Sequence, residues 1–222
     1  MVFGLVGARP LAQAEAPAVS STVERLAARA GMPRPRLYLI QDGFPRALSA
    51  GRGGRGQTIV VSTGLLGALS PAELDGVLAH EIAHAERRDV LVQTTAAVVA
   101  ATLLELSRLG GWFQRALLFA LGPVASAVVN GLLSPRWEFA ADRRAAELCE
   151  SPHGLADALV RLDQASELVS FAGNPATGPL HIVNPFEERA LGALFSTHPP
   201  LAERVRRLRE LDPDWPESLR AA

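Results

Sequence analysis

Apolar positions recur every three or four residues through Ser20 to Ala30, at Val23, Leu26, Ala27 and Ala30. This predicts a short amphipathic helix with Ser20 or Ser21 as its cap and Gly31 as its stop. Pro33-Arg34-Pro35 then breaks the chain, and the pattern changes. Arg36 to Gln41 and Thr58 to Ser62 are short apolar runs bounded by turn residues, which predicts two strands, and Ala47 to Ala50 is a further segment able to pair. The glycine-rich stretch Gly51 to Gly56 reads as a hairpin loop. It has neither a lysine nor a helix directly after it, and so lacks the parts of a phosphate-binding loop.

Ser70-Pro71-Ala72-Glu73 forms a capping box with proline at the first helical position, so a new helix begins there. No proline interrupts Pro71 to Leu109 and Gly76 is the weak point, which lets one helix run on into the apolar stretch Val90 to Leu106. That stretch, about 17 residues, would cover roughly 25 Å, slightly less than a bilayer core of about 30 Å. A second apolar stretch, Trp112 to Leu133, follows the tight turn Gly110-Gly111 and contains Gly122 and Pro123. The two read as a helical hairpin over 90–133, either membrane-associated or buried in a soluble core. Arg87, Arg88, Arg136, Arg143 and Arg144 flank its base and only Arg108 and Arg115 lie at its tip, so a spanning hairpin would leave its base in the cytoplasm. Further helices are predicted from Ser134 or Pro135, over Leu155 to Leu168, and over the arginine-rich Leu201 to Leu211.

Composition sharpens this picture in three respects. A hydrophobic content of 48% and a mean hydropathy of +0.15 are high for a soluble enzyme and low for a polytopic membrane protein, which places the apolar excess in the hairpin. Net charge is −1, with a pI near 6.5. No global basic field therefore points to nucleic acid, and Arg204, Arg206, Arg207 and Arg209 alternate with Glu203 and Glu210 as on a solvated helix face. All 22 basic residues are arginine, a compositional bias without functional content. The single cysteine, Cys149, can form no intramolecular bridge and reads as an ordinary thiol. A chain of 222 residues suffices for one catalytic domain. Met1 to Pro10 shows no secretory signal.

The chemistry concentrates in His80-Glu81-Ile82-Ala83-His84. Histidines four apart on a helix share a face and can grip one divalent ion, while Glu81 projects beside that ion, where it can take a proton from a metal-bound water. Glu138 and Asp142 are also four apart, on the helix to which the hairpin returns the chain. Glu138 is the candidate third ligand, which would leave a fourth position for water, and Asp142 suits the role of a partner holding a ligand histidine by its other ring nitrogen. His153 and His181 have no neighbours at ligand spacing and are read as structural.

Four motifs in order, His80-Glu81-Ile82-Ala83-His84, Glu138-Phe139-Ala140-Ala141-Asp142, Asn184-Pro185 and Ser196-Thr197-His198-Pro199-Pro200, resemble the M48 family of zinc metallopeptidases and within it the HtpX-like branch. The similarity runs from about Gly7 to about Leu211. The resemblance implies an α+β, mainly helical zincin-type fold with a small sheet. It implies one domain over 1–222 with the hairpin inserted between the two ligand helices. One zinc ion per chain would be held by His80, His84 and Glu138, with Glu81 catalytic and Asp142 orienting a ligand. His198 would approach the active site, to stabilise the oxyanion or to mask the metal at rest, and Arg204 could support it or form a structural salt bridge. HtpX-like enzymes usually carry two transmembrane helices before the segment matching Gly7. Here either a longer chain has been trimmed or the hairpin is the sole anchor. Arg46 to Gly51 replaces the family's Asn-Ala-Phe-type segment near the substrate groove, and Pro135 replaces an arginine.

The function expected is zinc-dependent endopeptidase cleavage of misfolded or membrane-associated polypeptides, bound extended along the edge of the sheet, with no nucleic-acid partner. The expected location is the bacterial inner membrane with the catalytic site facing the cytoplasm, or alternatively the cytoplasm. The contrasting reading is a catalytically inactive, zinc-stabilised scaffold of the same fold.

Overall fold

A computed structural model of the chain describes residues 7–50, 56–87, 135–168 and 199–212, together with a few isolated positions between 102 and 127. The apolar runs Leu37 to Ile40 and Ile59 to Val61 form the centre of one mixed sheet of four strands. The strands are β1 (Arg9–Pro10), β2 (Arg36–Ile40), β3 (Ala47–Ala50) and β4 (Thr58–Ser62), in the order β1-β2-β4-β3. β2 and β4 run parallel, with Tyr38 opposite Val60, while β1 pairs antiparallel with β2 and β3 antiparallel with β4. Both predicted strands and the third pairing segment are thus present. The two-residue β1 was not anticipated, because a strand containing Pro10 is tolerated only at a sheet edge, where it loses no ladder hydrogen bond.

The first helix, α1 (Pro17–Arg29), begins three residues before its predicted cap. Pro17 takes the first turn, where its missing N–H does no harm, and Ala16 is the cap residue without a side-chain hydrogen bond. Ser20 is therefore buried within the helix and Ser21 Oγ donates to the Ala18 carbonyl at 2.9 Å. The predicted stop at Gly31 holds. Its φ of +65° lets Gly31 N–H reach Ala28 O at 3.1 Å and Met32 N–H reach Ala27 O at 3.0 Å, the paired bonds that close a helix end in the left-handed conformation. A six-residue helix, α2 (Thr63–Ala68), follows β4 and is capped by Ser62 Oγ, which accepts from Leu65 N–H at 3.0 Å.

The central element is α3 (Pro71–Arg87). Its capping box is formed in both directions, since Ser70 N–H donates to Glu73 Oε2 at 2.6 Å and Glu73 N–H to Ser70 Oγ at 3.4 Å. Arg161 Nε also donates to Glu73 Oε1 at 2.7 Å. Around α3 pack α1, the strand β3, α4 (Pro135–Cys149) and α5 (His153–Leu168), while α6 (Leu201–Glu210) covers α5 and α4. The core is aliphatic, with Leu26, Ile59, Leu65, Leu78, Ile82, Leu155, Leu159 and Leu162 all buried. Gly76 is the point where α3 meets α5 backbone to backbone. A β-carbon there would lie 2.5 Å from Leu155 N and 2.7 Å from Leu155 Cα.

The architecture is mainly helical with a small mixed sheet, as expected. The predicted hairpin over 90–133 lies almost wholly outside the described residues. Among the described residues no helix is long and apolar enough to cross a membrane.

Candidate metal centre

α3 is buried on every side from Gly76 to Ala85, and His80, Glu81 and His84 lie within that stretch, each at most 4% exposed. Glu138 and Asp142 occupy successive turns of α4 and are equally buried. The two helices bring three ligand atoms together. His80 Nε2 lies 3.1 Å from His84 Nε2 and 3.6 Å from Glu138 Oε2, and His84 Nε2 lies 3.3 Å from Glu138 Oε1. Atoms bound at about 2.0–2.1 Å to a tetrahedral zinc stand about 3.3 Å apart. The two histidine nitrogens, and each of them with its nearer Glu138 oxygen, have spacings close to this, and one ligand atom from each of the three residues lies within 4.8 Å of the other two.

Charge makes the same point independently. Glu81, Glu138 and Asp142 are three carboxylates at 3–4% exposure, and Arg204, at 1%, is the guanidinium buried with them. With neutral histidines the cluster carries −2, a burial that is expensive unless a cation balances it. A divalent ion between the three ligand atoms does so.

A second layer of contacts orients the ligands. His80 Nδ1 lies 3.0 Å from Asp142 Oδ1, which directs Nε2 toward the ligand triangle. Arg204 grips Asp142 with both arms, Nη2 to Oδ1 at 2.7 Å and Nε to Oδ2 at 2.8 Å, and its Nη1 lies 3.5 Å from Glu138 Oε2. Burial alone pushes the Asp142 carboxyl up, but the Arg204 guanidinium and the His80 ring outweigh it and hold the group at about 2. A further ion pair joins the two helices, with Arg144 of α4 holding Glu86 of α3 through Nε at 2.9 Å and Nη2 at 3.2 Å.

Residues 13–212 match the sequence profile of peptidase family M48. The chain belongs to this family. It is 41% identical to a protease HtpX homolog of Acidiphilium cryptum, over 95% of this chain and 79% of that protein. It is 38% identical to one from Pelotomaculum thermopropionicum, covering 94% and 80%, and 36% identical to one from Pyrococcus abyssi, covering 95% and 79%. A crystal structure of S. mikatae Ste24p shares the fold at a TM-score of 0.55 and 20% identity, over 93% of this chain and 52% of that one. This M48 protein is thus an HtpX-like metalloprotease that acts on polypeptides, and its His80, His84 and Glu138 form a candidate metal site.

Of the residues singled out from sequence, His80, Glu81, His84, Glu138, Asp142 and Arg204 converge. Arg204, read from sequence as part of a solvated helix face, is instead buried and meets Asp142 and Glu138. His198 and the segments His181 to Phe186 and Ser196 to Thr197 lie outside the described residues. His153 pairs with Asp212, Nε2 to Oδ2 at 3.1 Å, away from the metal centre. One participant was missed. Ser49, on β3, donates its hydroxyl to the Glu81 carboxylate.

Proposed function

We propose that this M48 protease is a zinc-dependent endopeptidase in which His80, His84 and Glu138 hold the metal and Glu81 is the general base. A zinc ion in that triangle would supply Lewis-acid polarisation of the scissile carbonyl and acidify the attacking water. Glu81 takes the proton of the attacking water on its carboxylate and later delivers it to the departing amine nitrogen. Asp142 and Arg204 fix the His80 ring. The observation that carries the reading is the buried cluster of His80, His84 and Glu138, whose ligand atoms lie within 4.8 Å of one another, with a buried carboxylate next to its first ligand in sequence.

The substrate would lie extended along β3, the terminal strand of the sheet and the one packed against α3, where main-chain pairing tolerates varied side chains. This suits misfolded or membrane-associated polypeptides. The single-domain organisation over 1–222, with 90–133 as an inserted membrane hairpin and the site on the cytoplasmic face, is supported by the arginine distribution. It is also supported by Phe119 and Val124, helical positions that are 85% and 51% exposed. His198 would act beside the metal, to stabilise the oxyanion or to mask the ion at rest. In support, the next residue, Pro199, is buried, and α6, which follows it, carries Arg204 into the centre. Metal analysis tests the core of the proposal. Wild type should bind one zinc per chain and Glu138→Ala should lose it, whereas equal zinc in both would remove Glu138 from the ligand set.

A further inference from the structure

We propose that Ser49 is a positioning residue for Glu81, so that the strand offered to the substrate also aims the general base. The inference rests on the reading of Glu81 given above and adds a residue that neither the metal triangle nor its supporting carboxylate contains.

Ser49 sits in β3 opposite Ile59 of β4, at 5% exposure, on the strand that packs against α3. Its Oγ donates to the Glu81 carboxylate and also lies 3.1 Å from the Glu81 main-chain carbonyl. Among the described residues no other hydrogen bond reaches that carboxylate; the buried Arg204 guanidinium nearby turns Nε and Nη2 to Asp142. A buried glutamate has three torsions to fix and a charge that needs a donor, and one hydroxyl from β3 serves both needs.

The two acceptors matter because the hydroxyl carries one proton. When Glu81 turns to a water, Ser49 can donate to the Glu81 carbonyl instead, so releasing the base leaves no buried donor unpaired. The hydroxyl therefore holds the carboxylate in reach of the site without locking it there. A peptide adding to the edge of β3 would press on the same strand, which links substrate seating to the aim of the base.

The test uses the full-length, zinc-loaded protein and a fluorogenic peptide substrate. Ser49→Ala should keep its zinc and its thermal midpoint, lose about tenfold in kcat and change KM by less than about twofold, since misplacing a catalytic group by about an ångström costs up to about a hundredfold. Because Ser49 is buried, the isosteric pair Ser49→Thr and Ser49→Val repeats the comparison at equal volume. Threonine should restore most of kcat and valine should not. In a Glu81→Gln background, Ser49→Ala should cost nothing further. The proposal is overturned if Ser49→Ala has wild-type kcat, if Thr and Val variants are equal, or if the serine effect persists without Glu81. Loss of zinc or folding in the valine variant but not the threonine one would make the hydroxyl structural and also overturn it. If instead Glu81→Gln alone is fully active, the general-base reading fails, an outcome distinct from inert Ser49 beside an essential Glu81.

Discussion

Replacing Arg204 by methionine keeps most of the side-chain volume and deletes the guanidinium buried among Glu81, Glu138 and Asp142. The consequence follows from its contacts, two short hydrogen bonds to Asp142 at 2.7 and 2.8 Å and a carboxylate oxygen of Glu138 at 3.5 Å. Removing one partner of a buried pair strands the other charge and costs about 3–5 kcal/mol. In a protein of this size that lowers the thermal midpoint on the order of 10 °C. The loss should be larger in chelated protein, where three carboxylates face no cation, than in zinc-loaded protein, where the ion still offsets two of them. Removing both charges, in Arg204→Met with Asp142→Asn, should recover about 2 kcal/mol relative to the additive sum of the single changes. Urea unfolding of the four proteins, with and without chelator, measures each quantity. A cost below about 1 kcal/mol for Arg204→Met, or strict additivity in the double variant, would refute the view that this arginine balances the metal centre.

Two further outcomes test the frame around the site. Gly76→Ala should destabilise the protein by about 2 kcal/mol or more, although helix propensity alone favours alanine by about 1 kcal/mol, because the added carbon meets the Leu155 backbone at 2.5–2.7 Å. A stabilised variant in urea would contradict the close crossing of α3 and α5. Cys149 should resist alkylation. Burial, helped by Asp75, pushes its thiol up from 9.0 to about 11, so the folded protein holds less thiolate than the unfolded chain at any pH below that value. At pH 8 iodoacetamide should label native protein about 100-fold more slowly than urea-unfolded protein, and equal rates by mass spectrometry would be wrong for this environment.

The metal helix was legible because everything that defines it is local. The cap, the four-residue histidine spacing and the intervening glutamate all lie within one helix, and Glu138 and Asp142 repeat the same spacing on the next. β1 and α2 escaped for local reasons too. One is two residues long, and the other carries two glycines in six residues, which dilutes its helical pattern. Ser49 was invisible because its role is a contact between a strand and a helix 32 residues away, and a single serine in a strand carries no periodic signal. Arg204 was legible in principle. Leu201, Arg204, Val205 and Leu208 share one helix face, so an arginine at an apolar position of an otherwise charged helix already indicated a buried partner. The match of α3 to α5 at Gly76 could not be read, because it depends on the approach of two backbones rather than on any side chain.

The central claim is that Glu81 does chemistry at a metal held by its neighbours, and one measurement bears on it most directly: the peptide-cleavage rate of Glu81→Gln at zinc content equal to wild type. The amide keeps the shape and can still accept the Ser49 hydrogen bond through its oxygen, but it cannot take a proton at neutral pH. We predict one zinc per chain and a rate about 10²–10⁴-fold below wild type. Full activity at equal zinc content would contradict the account.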